Sequence, residues 1–171
     1  MINIVITGKR QSGKSTLAKR IIDKYNFSVA GYLTLPILSE NNICGYKIVH
    51  IPENGMEEII IDIKEDGKIK PFPSVFLDIG KTFVEDALLS DCDFIILDEI
   101  GRIEKDITPF TDVIKKALDS DKNVIAVLKK EDIPFINDIK KRNDIYFWDI
   151  DLIDREKAFF EISNIIESKN I

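Results

Sequence analysis

The chain has 171 residues, 44% of them hydrophobic and 32% charged, which is ordinary globular composition and enough for one compact domain, 1–171, with a real core. Its formal net charge of -6 argues against the basic stripe by which sequence-independent nucleic-acid binders displace counterions, so nucleic acid is not an expected partner. No segment approaches the apolar length that spans a bilayer, and no membrane partner is expected.

INIVIT, residues 2–7, is short and β-branched, ends at Gly8, and reads as a buried strand. It is too brief for the core of a signal peptide and runs into glycine and lysine, so a cytoplasmic location is expected. GKRQSGKST, residues 8–16, follows it directly. Gly8, four residues, then Gly13, Lys14 and Ser15 is the spacing of a phosphate-binding P-loop, where backbone amides, an ammonium and a hydroxyl surround a nucleotide's phosphates and its magnesium ion. Leu17, Ala18, Ile21, Ile22 and Tyr25 then repeat at helical spacing. The loop therefore lies between a strand and a helix N-terminus, whose unpaired amides and dipole favour an anion. This context assigns Gly8, Lys9, Arg10, Gln11, Ser12, Gly13, Lys14, Ser15 and Thr16 to nucleotide binding, with Lys14 also acting in catalysis and Ser15 on magnesium. Residues 1–30 hold six cations, Lys9, Arg10, Lys14, Lys19, Arg20 and Lys24, against Asp23 alone, a local excess around the expected anion site.

Residues 29–51 form two extended apolar runs joined by the polar turn SENN, followed by EEIIIDI at 57–63 and a turn at 65–67. Three strands with no helical pattern between them predict an antiparallel extension over 29–63. SVFLDIG, 74–80, is a weak strand candidate, and Phe83, Val84, Ala87 and Leu88 predict a short helix. From there strands at 93–99, 123–129 and 144–150 alternate with helical stretches. Thr108 and Pro109 supply an N-cap and first turn for one of them, and Phe159, Ile162, Ile165 and Ile166 stripe the last. Such alternation implies an α/β fold with a mainly parallel sheet covered on both faces.

DFIILDEIGRIE, 93–104, is a hydrophobic strand delivering Asp98 at its C-terminal edge, where ligands bind in open α/β sheets; this is a Walker B pattern. Magnesium takes hard oxygen ligands and keeps several waters, so Ser15 and Asp98 are the expected pair around it, Asp98 through water. Glu99 stands where additional-strand P-loop ATPases carry the carboxylate that orients and deprotonates the attacking water. Arg102 has two readings, a cation for charge developing on the γ-phosphate or a solvated loop residue.

The chain resembles the nucleoside-triphosphatases first described from thermophiles, whose vertebrate members are called cancer-related nucleoside-triphosphatase. The likeness covers most of the chain and rests on GKRQSGKSTL, on VAGYLT with GYKIV in the hairpin, on LDEIGRIE before a Phe-bearing helix, and on NVIAVLKK with the RNDIYFWDI strand. It implies a RecA-like P-loop fold that slowly hydrolyses ATP, GTP and other nucleoside triphosphates with magnesium. The chain departs from that pattern at Arg10, Gln11 and Ser12, where relatives carry an extra glycine, at Leu35, Pro36 and Ile43, where their hairpin is charged, and at Arg102, which is often lysine.

KKED, 129–132, follows a strand like a guanine-reading motif, but Lys129 replaces the residue that would meet the base. His50 is the only histidine and reads as a strand residue near a turn; Phe147 and Trp148 read as core; Cys44 and Cys92 read as buried reduced thiols. Two other functions stay open. A small nucleotide or metabolite kinase would clamp transferring phosphates with several arginines, and only Arg10, Arg20, Arg102, Arg142 and Arg155 are available. A nucleotide-dependent switch or assembly factor would use the same phosphate site.

Overall fold

The computed structural model describes residues 1–52 and 55–171. One eight-stranded sheet organises the chain: β1 Asn3–Gly8, β2 Val29–Ser39, β3 Asn42–Ile51, β4 Glu57–Ile63, β5 Ile69–Pro71, β6 Phe94–Ile100, β7 Asn123–Lys129 and β8 Ile145–Asp149. Their spatial order is β5-β4-β3-β2-β6-β7-β1-β8. β2, β6, β7, β1 and β8 run parallel, and β2 to β5 form an antiparallel meander. The expected extension over 29–63 is present and gains β5 beyond it, a three-residue edge strand ended by Pro71, whose ring cannot donate to a ladder.

Among the described residues five α-helices cover the sheet: α1 Lys14–Tyr25, α2 Lys81–Leu89, α3 Thr108–Asp119, α4 Pro134–Lys140 and α5 Arg155–Ser168. The parallel strands alternate their side chains between two apolar layers. Ile2 just before β1, Ile4 and Ile6 of β1, and Phe94 and Ile96 of β6 meet Leu17, Ala18 and Ile21 of α1 and Ala158, Ile162 and Ile166 of α5. Val5, Ile95 and Leu97 turn the other way, onto Phe83, Val84 and Ala87 of α2, Phe110 and Ile114 of α3, and Phe135 and Ile136 of α4. These central strands read as continuous apolar runs because both of their faces are covered.

Four expectations are corrected. Residues 74–80 are helical, with a π-helical turn at Phe76–Gly80 leading into α2. The reason is periodicity: Phe76, Gly80, Phe83, Val84 and Ala87 are buried at helical spacing, so the stripe read from Phe83 onward begins further upstream, at Phe76. α3 starts at Thr108 rather than being capped by it, because the Ile107 carbonyl accepts from the amides of Phe110 and Thr111. Trp148 is buried and donates its indole N–H to Glu161 at 2.9 Å, but its neighbour Phe147 is exposed, β8 being an edge strand of the sheet. Cys44 and Cys92 are free and half-buried rather than buried. His50 lies in β3 as read, its ring on Phe83 and its Nδ1 3.1 Å from the Pro52 carbonyl oxygen.

Phe110 links the antiparallel strands to the helical layer, with ring centroids 5.0 Å from Phe76 and 6.0 Å from Tyr32. Truncating a fully buried phenylalanine costs about 3 to 5 kcal/mol through lost transfer energy and the cavity left behind. Phe110→Ala should lower the urea-unfolding free energy by that amount, and a loss below about 1 kcal/mol would show that the layer repacks around it.

Candidate active site

The site forms where the parallel strands end. β1 delivers Gly8, and the loop climbs through Lys9 to Ser12, whose amide donates to the Lys9 carbonyl at 3.2 Å. Gln11 and Gly13 adopt left-handed backbone, with φ of 60° and 93°. Gly13 is the residue that caps α1, and its left-handed φ is what favours glycine there; Arg155, which crosses over the loop from the start of α5, would have to move its Nη1 to admit a Cβ, 2.5 Å away. Lys14 is buried, and its ammonium donates to the Lys9 carbonyl at 2.8 Å, closing the loop on itself. Ser12 Oγ is buried without a hydrogen-bond partner among the described residues, so the loop holds an unpaired hydroxyl among its amides.

Residues outside the motif hold the loop in place. The amide of Lys9 donates to both carboxylate oxygens of Asp151, at 3.1 and 3.0 Å. Lys130 bridges Asp149 and Asp151 at 2.8 and 2.9 Å, and its hydrogen bond keeps the Asp151 carboxyl below the ordinary range. Arg10 reaches away to β3, donating to the Tyr46 hydroxyl at 2.6 Å. Three of the six local cations are engaged elsewhere: Lys19 pairs with Asp23, Arg20 with Glu156 and Lys24 with Glu167. Thr16 is exposed at the start of α1.

Asp98 meets the loop from the second strand over. Ser15 Oγ donates to its Oδ1 at 2.7 Å, and Thr34 Oγ1 donates to its backbone carbonyl at 2.7 Å. Burial pushes its carboxyl up to about 6, while the Ser15 hydrogen bond and the Lys14 charge act in the opposite direction. A serine hydroxyl resting on a buried carboxylate offers the hard oxygen donors that magnesium prefers, two from protein being enough where phosphates and waters complete the shell.

Glu99 owes its position to a fault in the ladder. Asp98 pairs with Val127 and Ile100 with Leu128, consecutive residues of β7, so Glu99 is the extra residue of a β-bulge. Leu97 and Ile100 both belong to the layer under α2, α3 and α4. Strict alternation would have driven Glu99 into that apolar layer; the bulge gives the place to Ile100 and leaves Glu99 at the sheet's edge, its carboxylate 3.7 Å from the Lys129 ammonium. Arg102 lies on the loop that follows, in an ion pair with Glu131 at 2.8 Å and with its side chain 70% exposed. The KKED run is taken apart by these contacts, since Lys129 faces Glu99 and Asp132 accepts from Asn137 of α4 at 2.7 Å.

Glu104 was not signalled by any spacing. It is buried, accepts a hydrogen bond from the Gly101 amide, and so fastens the turn that follows Glu99. In sequence it is one of three charged residues, Glu104 to Asp106, between Ile103 and Ile107. Asp151 and Arg155 were equally silent, because each reaches the loop from more than 100 residues away, and Lys130 acts on it through Asp151.

A strand carrying the phosphate loop, a second carrying the buried aspartate, and a third strand inserted between them define an α/β P-loop nucleotide-binding protein of the additional-strand type. A family model described as NTPase matches residues 3–163. The nucleoside-triphosphatase THEP1 of Methanocaldococcus jannaschii is 34% identical over 96% of this chain and 97% of its own, and that of Thermotoga maritima is 29% identical over 97% and 96%. The chain belongs to the THEP1 nucleoside-triphosphatase family, and its enzyme class is that of an NTPase. Its fold matches the crystal structure of THEP1 from Aquifex aeolicus, with TM-score 0.78 and 21% identity over 97% and 99% of the two chains. It also matches the solution structure of a human cancer-related nucleoside triphosphatase, with TM-score 0.75 and 15% identity over 98% of each. Among the described residues no helix is long and apolar enough to cross a membrane.

Burial pushes the Glu104 carboxyl up to about 7, against the Gly101 hydrogen bond and the Lys129 charge. The folded protein therefore holds this proton more tightly than the unfolded chain, where the group titrates at 4.5. The resulting stabilisation is full below that value and is lost as pH rises through about 7. Glu104→Gln keeps an oxygen for the Gly101 amide and removes the titration, so its melting temperature should vary less than the wild type's between pH 5 and pH 8. Parallel melting curves across that range would contradict the assignment.

Proposed function

We propose that this chain hydrolyses nucleoside triphosphates, ATP and GTP among them, to the diphosphate and inorganic phosphate in the presence of magnesium. The observation that carries the reading is the 2.7 Å hydrogen bond between Ser15 and Asp98, which brings the helix of the phosphate loop and the acidic end of β6 to one point. The amides of residues 8–16, the Lys14 ammonium and the Ser12 hydroxyl would bind the phosphate oxygens. Ser15 and Asp98 would hold magnesium, which supplies positive charge to the phosphates when bound.

Glu99 is the base. A carboxylate oxygen takes a proton from water as the water oxygen forms its bond to the γ-phosphorus, and the bond from that phosphorus to the β–γ bridging oxygen breaks, leaving on the diphosphate. Most of the catalysis in such a transfer is positioning and charge stabilisation. The bulge at Glu99 supports this reading, because it sets the carboxylate beside Asp98 without burying it in the apolar layer. A role for Arg102 on the γ-phosphate would require it to leave Glu131.

Glu99→Gln keeps the shape of the side chain and removes its basicity. It should slow phosphate release by about 100-fold or more without weakening magnesium–nucleotide affinity, since general-base assistance acts in the transition state. Release of phosphate and diphosphate in equal amounts, measured with and without added nucleosides, separates hydrolysis from transfer to an acceptor. Near-normal turnover in a stable Glu99→Gln protein would refute the role.

A further inference from the structure

β2 pairs with β6 from Val29 to Tyr32 and then leaves it behind. It runs on to Ser39 against β3, through a turn at Glu40 and Asn41 whose φ of 49° and 67° suit a tight hairpin. Pro36 lies in this stretch, and a strand accepts proline only where no partner waits for its amide. The hairpin is therefore an arm that rises past the C-terminal edge of the parallel strands. Its root is fixed, since Thr34 donates to the Asp98 carbonyl at 2.7 Å.

Arg10 of the phosphate loop meets this arm. Its guanidinium donates to the Tyr46 hydroxyl at 2.6 Å, with Cζ 5.6 Å from the centre of the Tyr46 ring. Tyr46 pairs with Pro36, beyond the last pairing of β2 with β6. In the sheet β7, β6 and β2 separate β1 from β3, about 19 Å at ordinary strand spacing and well beyond the reach of an arginine side chain. The two ends meet because they lean toward each other: the start of α1 already crosses β7, where Ser15 reaches Asp98, and Arg10 carries the same lean on to the arm. The contact thus passes across the ends of β6 and β7, where Asp98, Glu99 and Lys129 stand, Lys129 level with Gly8. A hydrogen bond between neighbouring strands would stiffen a sheet edge; one that spans three strands encloses the space between its ends.

We propose that the Arg10–Tyr46 contact is a strap over the terminal-phosphate end of the site: the β2–β3 arm swings away to admit a nucleoside triphosphate, and the strap closes again over it. The proposal rests on the triphosphatase reading given above, which puts the γ-phosphate beside Ser15, Asp98 and Glu99. The strap is made in the empty site and in the filled one, so it favours both closed forms equally. It therefore sets the rates of nucleotide exchange and not the affinity.

Stopped-flow mixing with a fluorescent, non-hydrolysable triphosphate analogue and magnesium tests this on the wild type, Tyr46→Phe, Arg10→Met and the double variant. Tyr46→Phe keeps the ring and removes the hydroxyl. It should raise the association and dissociation rates alike, by about two- to tenfold, the equilibrium contribution of one hydrogen bond, and leave the affinity unchanged. The same substitution in an Arg10→Met background should change neither rate, because the donor is already gone. Wild-type rates in Tyr46→Phe would overturn the proposal. So would an affinity loss carried by dissociation alone, which would make Tyr46 a ligand contact, or an acceleration that persists without Arg10. Should Tyr46→Phe fail to fold, Arg10→Met decides by itself, and association no faster than in the wild type counts against the strap. Wild-type protein that binds no analogue would instead refute the phosphate site, and the proposal would fall with it.

Discussion

Ser15 opens α1, the helix that follows β1, and Asp98 ends β6, which is not β1's neighbour in the sheet, yet their side chains meet at 2.7 Å. β7 lies between β1 and β6, so the contact spans a full strand, and most of the site follows from making that span possible. The three strands must end level, which the registers of β7 with both neighbours secure. α1 must begin at Lys14, directly after the left-handed turn at Gly13, so that its first hydroxyl overhangs the sheet. Asp98 must point to the α1 face, as the burial of Phe94 and Ile96 on that face requires of every second residue. Burial of the carboxylate then raises its proton affinity, a cost that a cation beside it would offset.

The second constraint is that two successive acids at the end of one strand cannot normally share a side of the sheet. The bulge removes the conflict by giving the inner position to Ile100. It also explains why so many contacts gather at the following turn. Glu104 holds the Gly101 amide, Lys129 lies over Gly101, and Arg102 reaches Glu131 on the loop after β7. A bulged strand end without those ties would be free to slip back into alternation.

The phosphate loop and the central strands were legible because their signals are local: glycine and lysine at fixed spacing, and apolar runs covered on both faces. The antiparallel extension was legible for the same reason, its turn and its alternation lying within 35 residues. Residues 74–80 misled because Val75, Phe76, Leu77 and Ile79 are apolar enough for either a strand or a helix, and only the continuation through Phe83 and Ala87 decides between them. Phe147 misled because an edge strand cannot be told from a central one by composition. The bulge at Glu99 is a property of pairing, not of either strand alone. Asp151, Arg155 and Lys129 reach the loop through the sheet order, and nothing near them in sequence carries that order.

The central claim is that Ser15 and Asp98 act as one magnesium-holding unit, and a double-mutant cycle tests it most directly. Affinity for a magnesium–triphosphate complex, measured for Ser15→Ala, Asp98→Asn and the pair together, should show coupling of about 0.5 to 3 kcal/mol, the range for residues that share a partner. The same cycle without magnesium should show less. Effects that add within about 0.5 kcal/mol in both conditions would mean that the two residues act independently, and would contradict the account.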